Sequence, residues 1–130
     1  MSYTLKISEQ DVLGKGKFKN AKGNTECVAF VQKAAGAPVT TCWQRGLKVS
    51  EAGPTEISRG TAIATFDENG KYPTDKLGKH AAIYLTHDET AISVLDQWNS
   101  QGEVLPRPIW FGRPEGTPRQ NDANTFYVIE

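Results

Sequence analysis

The sequence predicts an α+β domain in which one helix near the start precedes a mostly antiparallel sheet. Three observations predict this class. A helical pattern covers about residues 24–35, segments rich in β-branched and aromatic residues follow it, and strong turn signals separate several of those segments. The chain of 130 residues has the length of one ordinary domain, so we expect a single domain over residues 1–130.

The helix is predicted by the segment around Cys27. Asn24 or Thr25 can cap it by accepting a hydrogen bond from a free backbone N–H group, and Gly36 begins the segment that ends it. This assignment puts Cys27 in the first turn. The apolar side of the helix consists of Val28, Phe30, Val31, Ala34 and Ala35.

The segments on either side of the helix are typical of connections. Residues 14–23 are rich in Lys and Gly and poor in apolar side chains, which predicts a surface approach to the helix. Residues 40–49 predict a turn or short helix whose Trp43 and Leu47 pack on the domain. Glycine and proline in residues 50–60 predict a loop that leads into the sheet.

Five later segments predict the strands of the sheet. They are residues 61–66, 81–85, 91–98, 109–111 and 125–129. Turn signals at residues 67–70 and 86–90 follow the first two. Pro106 and Pro108 stand just before the fourth, and because proline cannot donate a ladder hydrogen bond, we expect an edge strand there.

Composition excludes several classes of protein. Lys plus Arg and Asp plus Glu number 15 each, and no basic run alternates with aromatic residues, so the sequence predicts no nucleic-acid partner. No apolar run approaches the length of a membrane span, so we expect no membrane partner. The first residues lack the apolar core of a signal peptide, and we therefore expect synthesis in the cytoplasm without a cleavable signal.

Cys27 is a candidate nucleophile because of its place at the start of a helix. The unpaired N–H groups and the helix dipole stabilise an anion there, so a thiol whose pKa is ordinarily roughly 8.5 ionises more easily. The backbone N–H of Cys27 can also bind a developing oxyanion. Two structural alternatives stay open at this point, a buried core thiol and a disulfide with Cys42.

A metal site is not predicted. The ligands would have to be both cysteines and both histidines, Cys27, Cys42, His80 and His87, and these lack any short paired ligand spacing.

A predicted hairpin supplies partners for the thiol. If the second and third strands pair around Asp88 so that paired residue numbers sum to 176, His80 lies opposite Asp96 on one face. Asp96 then accepts the Nδ1 proton of His80 and holds the ring toward Cys27, as in a cysteine triad. A slip of one residue would make Gln97 the fallback partner. His87 falls in the turn, where we expect it to be solvated.

Five segments together resemble the ordered blocks of a known family. They are N-T-E-C-V-A-F-V-Q at 24–32, W-Q-R-G-L-K-V at 43–49, G-T-A-I-A-T-F at 60–66, G-K-H-A-A-I-Y at 78–84 and V-L-D-Q-W at 94–98. In this order they resemble CHAP-type amidases of the NlpC/P60 papain-like superfamily. More narrowly, the sequence is similar to the small amidase effectors of type VI secretion systems, which cut the peptidoglycan of rival bacteria.

The resemblance implies a papain-like α+β core and a peptidoglycan amidase. It assigns Cys27 as nucleophile, His80 as general base and Asp96 as the orienting residue, with no metal or cofactor. It also implies a peptidoglycan stem-peptide substrate, an immunity protein as partner, and secretion to act in the periplasm of a target cell.

Other readings of the same residues stay open. A papain-like triad can also deamidate a protein or transfer an acyl group to it. A non-catalytic binding module with Cys27 and Cys42 bridged or buried is the second alternative. Trp43, Tyr84 and Trp98 are candidate walls of a cleft, with core packing as the alternative for each.

Overall fold

Seven strands form one sheet in a computed structural model that describes residues 1–130. The strands are β1 (Gly14–Lys15), β2 (Arg45–Lys48), β3 (Ala62–Thr65), β4 (Ala81–His87), β5 (Ala91–Asp96), β6 (Glu103–Trp110) and β7 (Phe126–Ile129). Their order across the sheet is β1-β6-β5-β4-β3-β7-β2, and every pairing is antiparallel. The α+β prediction is therefore confirmed.

Two α-helices precede most of the sheet, α1 (Glu9–Val12) and α2 (Cys27–Ala35). Gly36 ends α2 in the left-handed region, with φ of 75°, and its N–H donates to the carbonyl oxygen of Gln32. The predicted cap is wrong, because Glu26 occupies the N-cap position and makes no side-chain capping bond. The Thr25 hydroxyl instead donates to the carbonyl oxygen of Trp98 at a distance of 3.5 Å.

Apolar side chains fill both faces of the sheet. Alternation along β4 sends Ile83 into one core cluster and Tyr84 into the other. The first cluster contains Phe30 and Val31 of α2, both fully buried, and burial of each contributes about 1.5–3 kcal/mol. On the other face, the second cluster is covered by Val49 and other residues outside the two α-helices. Helix α2 is thus fixed against one face with its first residue at the end of the sheet.

Two connecting segments differ from prediction. Val12 and Phe18 are buried, and β1 pairs with the start of β6, so the approach to α2 is not purely a surface segment. Residues 45–48 form β2 rather than a turn or short helix, because β7 offers them a strand to pair with. Short 3₁₀ turns flank β2 at Thr40–Cys42 and Val49–Glu51.

Strand β6 begins earlier than predicted. It starts at Glu103 and runs through both prolines, which pair with β5 on one side. On the other side β1 reaches only Glu103 and Val104, so Pro106 and Pro108 lie where the strand has no second neighbour. The edge character that the prolines predicted is confirmed for this part of the strand.

The register of the β4–β5 hairpin differs from the predicted one. Ile83 pairs with Leu95 and Tyr84 with Val94, so the paired numbers sum to 178 rather than 176. After an irregularity near the turn, His87 pairs with Ile92. The predicted opposition of His80 and Asp96 is therefore wrong. Because the shift is of two residues, both side chains keep the same face and meet diagonally across the strands.

Candidate active site

Three predicted residues meet at the end of the sheet where β4 begins and β5 ends. Cys27 is the first residue of α2, His80 directly precedes β4, and Asp96 ends β5. His80 is 4% exposed and Asp96 is fully buried, whereas Cys27 is partly buried. Cys27 and His80 line a cavity of about 980 Å³, which is large enough for a peptide segment.

The imidazole of His80 is held on several sides. Its Nε2 lies 2.7 Å from Oδ2 of Asp96, so the ring presents Nε2 to the carboxylate where Nδ1 was predicted. The backbone N–H of His80 donates to the hydroxyl of Thr65 at 3.0 Å, and the N–H of Thr65 donates to the carbonyl oxygen of His80 at 3.0 Å. Edge-on contacts with Trp98 and Phe126 complete the packing. The bond to Asp96 and the aromatic contacts orient the ring before any substrate arrives, and the bonds to Thr65 fix the backbone that carries it.

The thiol of Cys27 lies in an environment that favours the thiolate. Burial alone would raise the pKa of Cys27, but interactions with His80, the backbone N–H of Ala81 and the hydroxyl of Tyr72 hold it below its usual range. The hydroxyl oxygen of Tyr72 is 3.8 Å from Sγ of Cys27. Burial, together with the nearby thiolate, raises the pKa of Tyr72, so the phenol stays protonated and can donate to the sulfur.

His80 carries the complementary positive charge. Burial alone would lower the pKa of His80, but the hydrogen bond to Asp96 and the interactions with Cys27 raise it to about 9. An unfolded histidine titrates near pH 6.5. The contribution of His80 to stability is therefore fully present below that pH and is lost as the pH rises through about 9. The lowered pKa of Cys27 and the raised pKa of His80 both favour a thiolate–imidazolium pair at this site.

Gln97, the fallback partner of His80, has a different position. Its side chain is fully buried, and its Nε2 donates to the carbonyl oxygens of Phe18 and Glu26, each at 2.8 Å. Glu26 is the residue directly before Cys27. Gln97 therefore fixes the chain that enters α2 rather than the imidazole.

Arg107 was missed by the sequence reasoning. Its Nε donates to Oδ2 of Asp96 at 2.6 Å, and its guanidinium lies over the ring of Trp98, 5.3 Å from the centroid. One carboxylate oxygen thus accepts from both Arg107 and His80. The contact depends on the pairing of β5 with β6, in which Val94 faces Arg107. No local motif carries that information.

Two of the three predicted cleft walls line the cavity. Trp43 and Trp98 do so, and Trp43 packs edge-on against Tyr72, with ring centroids 4.8 Å apart. Tyr84 does not, because it is 1% exposed on the other face of the sheet and bonds to His87. Tyr72 lies between the segments predicted as the first two strands, and its place at the site was missed.

The second cysteine and second histidine lie away from the thiol. Cys42 is exposed and both cysteines are free, so the alternative of a Cys27–Cys42 disulfide is contradicted. His87 is half-buried rather than solvated. Its Nδ1 is 2.6 Å from the hydroxyl of Tyr84, and its Nε2 is 3.0 Å from the carbonyl oxygen of Ala52.

Comparison with known proteins shows the family. A family model described as domesticated amidase effector 2 matches residues 4–129. This chain belongs to that family. A type VI secretion amidase effector 2 protein from Salmonella typhi is 41% identical over 115 residues, which cover 81% of this chain and 84% of that protein. Domesticated amidase effector 2 from Ixodes scapularis is 40% identical over 109 residues, which cover 81% of this chain and 70% of that protein.

The fold of this domesticated amidase effector 2 family member is also similar to a solved structure. Type 6 secretion amidase effector 2 (Tae2) superposes with a TM-score of 0.79 at 29% sequence identity, over 97% of this chain and 93% of that one. The predicted relation to type VI secretion amidase effectors is therefore confirmed. None of the helices is long and apolar enough to cross a membrane.

Proposed function

We propose that this domesticated amidase effector 2 family member hydrolyses an amide bond in the stem peptides of bacterial peptidoglycan by cysteine catalysis. Membership of a family of amidase effectors supports amide hydrolysis. The observation that carries the cysteine mechanism is the buried His80–Asp96 pair beside a thiol at the first residue of a helix. We propose Cys27 as nucleophile, His80 as general acid and base, and Asp96 as the residue that orients His80.

In the first half of the proposed reaction, the thiolate of Cys27 attacks the carbonyl carbon of the amide. The carbonyl oxygen becomes an oxyanion, which the backbone N–H of Cys27 at the helix N-terminus stabilises. Protonated His80 then gives its proton to the leaving nitrogen, the C–N bond breaks, and the amine product departs. A thioester on Cys27 and a neutral His80 remain.

In the second half, neutral His80 takes a proton from a water molecule as the water oxygen attacks the thioester carbon. Collapse of this second tetrahedral intermediate expels the thiolate and releases the acid product. The imidazolium and thiolate are then restored. The negative charge of Asp96 stabilises the imidazolium in each half of the cycle, which is why an ionised carboxylate is useful behind the ring.

The finer assignments are also part of this proposal. The order of the Cys27, His80 and Asp96 blocks supports a papain-like core of the CHAP and NlpC/P60 kind, in one domain over residues 1–130. A relative named as a type VI secretion effector supports delivery by that route into the periplasm of a target cell. A producer of such a toxin needs an inhibitory immunity protein, and we propose that the partner covers the cavity beside Cys27.

Digestion of purified Gram-negative sacculi tests the proposal. Muropeptides would be analysed by mass spectrometry after incubation with the wild-type protein, Cys27→Ala or Cys42→Ala. We expect the wild type and Cys42→Ala to break one kind of stem-peptide amide and Cys27→Ala to break none. Cys42 is the matched control because it is a free thiol outside the cavity. Intact sacculi with the wild type would contradict the proposal and favour an activity on proteins instead.

A further inference from the structure

Arg107 is tied to Asp96 by only one of its donor groups. A guanidinium has five N–H donors in a planar fork, of which Nε–H is one. Nε–H donates to Asp96, whereas Nη1 and Nη2 donate to no residue of the chain. The side chain of Arg107 is 23% exposed and lines the cavity that contains Cys27. Four N–H donors are therefore left for a molecule in the cavity.

The ring of Trp98 packs against the guanidinium that carries those donors. The guanidinium stacks over the indole ring, which also lines the cavity and is 38% exposed. A stacked guanidinium loses less conformational freedom on binding than a free side chain does. Planar paired donors match the two oxygens of a carboxylate. The arrangement is therefore prepared for an anionic group rather than for a neutral amide.

The charge of the cavity wall agrees with an anionic ligand. Lys71, Lys79 and Arg107 line it together with a single carboxylate, Glu26, although the chain as a whole has no net charge. Counting the buried Asp96 behind His80 still leaves a positive excess. The ammonium of Lys79 lies over the Tyr72 ring, 5.8 Å from its centroid, so a second cation lies over an aromatic ring, here beside the thiol.

We propose that Arg107 binds a carboxylate of the substrate through its Nη groups while its Nε group holds Asp96. The inference rests on the proposed function, because the carboxylate belongs to the molecule whose amide Cys27 attacks. Amides that carry a free carboxylate near the scissile bond are then the preferred substrates. Arg107 is a specificity-determining residue and, through Asp96, a positioning residue for His80.

Binding to an inactive protein tests this inference without relying on catalysis. Soluble muropeptide fragments would be titrated into Cys27→Ala, either with native carboxylates or with these converted to primary amides. Charge-assisted hydrogen bonds contribute about 1.5–3 kcal/mol, so we expect the native form to bind roughly 10- to 100-fold more tightly. In the double variant Cys27→Ala/Arg107→Gln, most of this preference for the native carboxylates is expected to disappear. Arg113→Gln, at an exposed site outside the cavity, is expected to keep it.

Arg107→Lys guards against a folding artefact. Lysine keeps a positive charge beside Asp96 but lacks the planar paired donors of a guanidinium. We therefore expect a folded protein that has lost most of the preference for carboxylate over amide ligands. Equal binding of both forms by Cys27→Ala, or a preference that survives Arg107→Gln, would overturn the inference. An Arg107-dependent preference in a protein whose wild type hydrolyses nothing would support the inference and contradict the proposed function alone.

Discussion

The two histidines at opposite ends of β4 make a useful comparison. His80 lies beside the carboxylate of Asp96 and the thiol of Cys27, whose pKa is lowered, and its own pKa is raised to about 9. His87 lies between a phenol and a backbone carbonyl, neither of which carries a charge. Because a carbonyl oxygen only accepts, Nε2 of His87 donates to Ala52, and Nδ1 forms the hydrogen bond with the hydroxyl of Tyr84.

The difference teaches that burial alone does not identify a functional histidine. His80 is buried and His87 is half-buried, and we propose that only His80 holds and returns a proton during catalysis. The charge of its partners makes it so. His87 instead joins Tyr84 to the loop at Ala52, which is a structural task.

Replacing each histidine by glutamine should produce the largest difference in activity between the two sites. We expect His80→Gln to lower kcat/KM on muropeptides by roughly 10³-fold, because the proton carrier is lost. His87→Gln should keep kcat/KM within about threefold and lower the free energy of unfolding by about 1–3 kcal/mol, since it disturbs the bond to the buried Tyr84. Denaturant unfolding and initial rates would check both. An inactive but folded His87→Gln would break the comparison.

Asp96→Asn sharpens the comparison by giving His80 an uncharged partner like those of His87. We expect kcat/KM to fall by roughly 100-fold and the alkaline limb of the pH profile, near pH 9 in the wild type, to move to lower pH. The reason is that the imidazolium loses the carboxylate that stabilises it. Rates from pH 5 to 10 would show this, with Asp11→Asn at an exposed site as control. An unmoved alkaline limb would contradict the role given to Asp96.

Local patterns predicted the elements that position the site. The apolar spacing and Gly36 placed α2, and with it Cys27 at a helix start, to within a few residues. The pairing of His80 with Asp96 was also predicted, although from the wrong register. An even shift preserves the face of every side chain, so an error of two residues still left both groups on one side.

The parts of the site that could not be predicted depend on contacts between distant segments. Arg107 reaches Asp96 only because β6 pairs with β5 after a turn whose register the sequence does not specify. Tyr72 reaches Cys27 from a segment without regular structure. The cap of α2 was misplaced by one or two residues, because Gln97 rather than a local side chain holds the chain at Glu26.

The central claim is that Cys27 is a thiolate paired with His80 at neutral pH, and the rate of alkylation tests it most directly. Iodoacetamide labelling of Cys42→Ser, which leaves Cys27 as the sole thiol, would be followed by mass spectrometry from pH 6 to 8. An ordinary thiol with a pKa near 8.5 gains roughly 70-fold in thiolate over that range. We predict a clearly smaller rise for Cys27 in the folded protein than in denaturant, where the ordinary rise should appear. The ordinary rise in the folded protein would contradict the account.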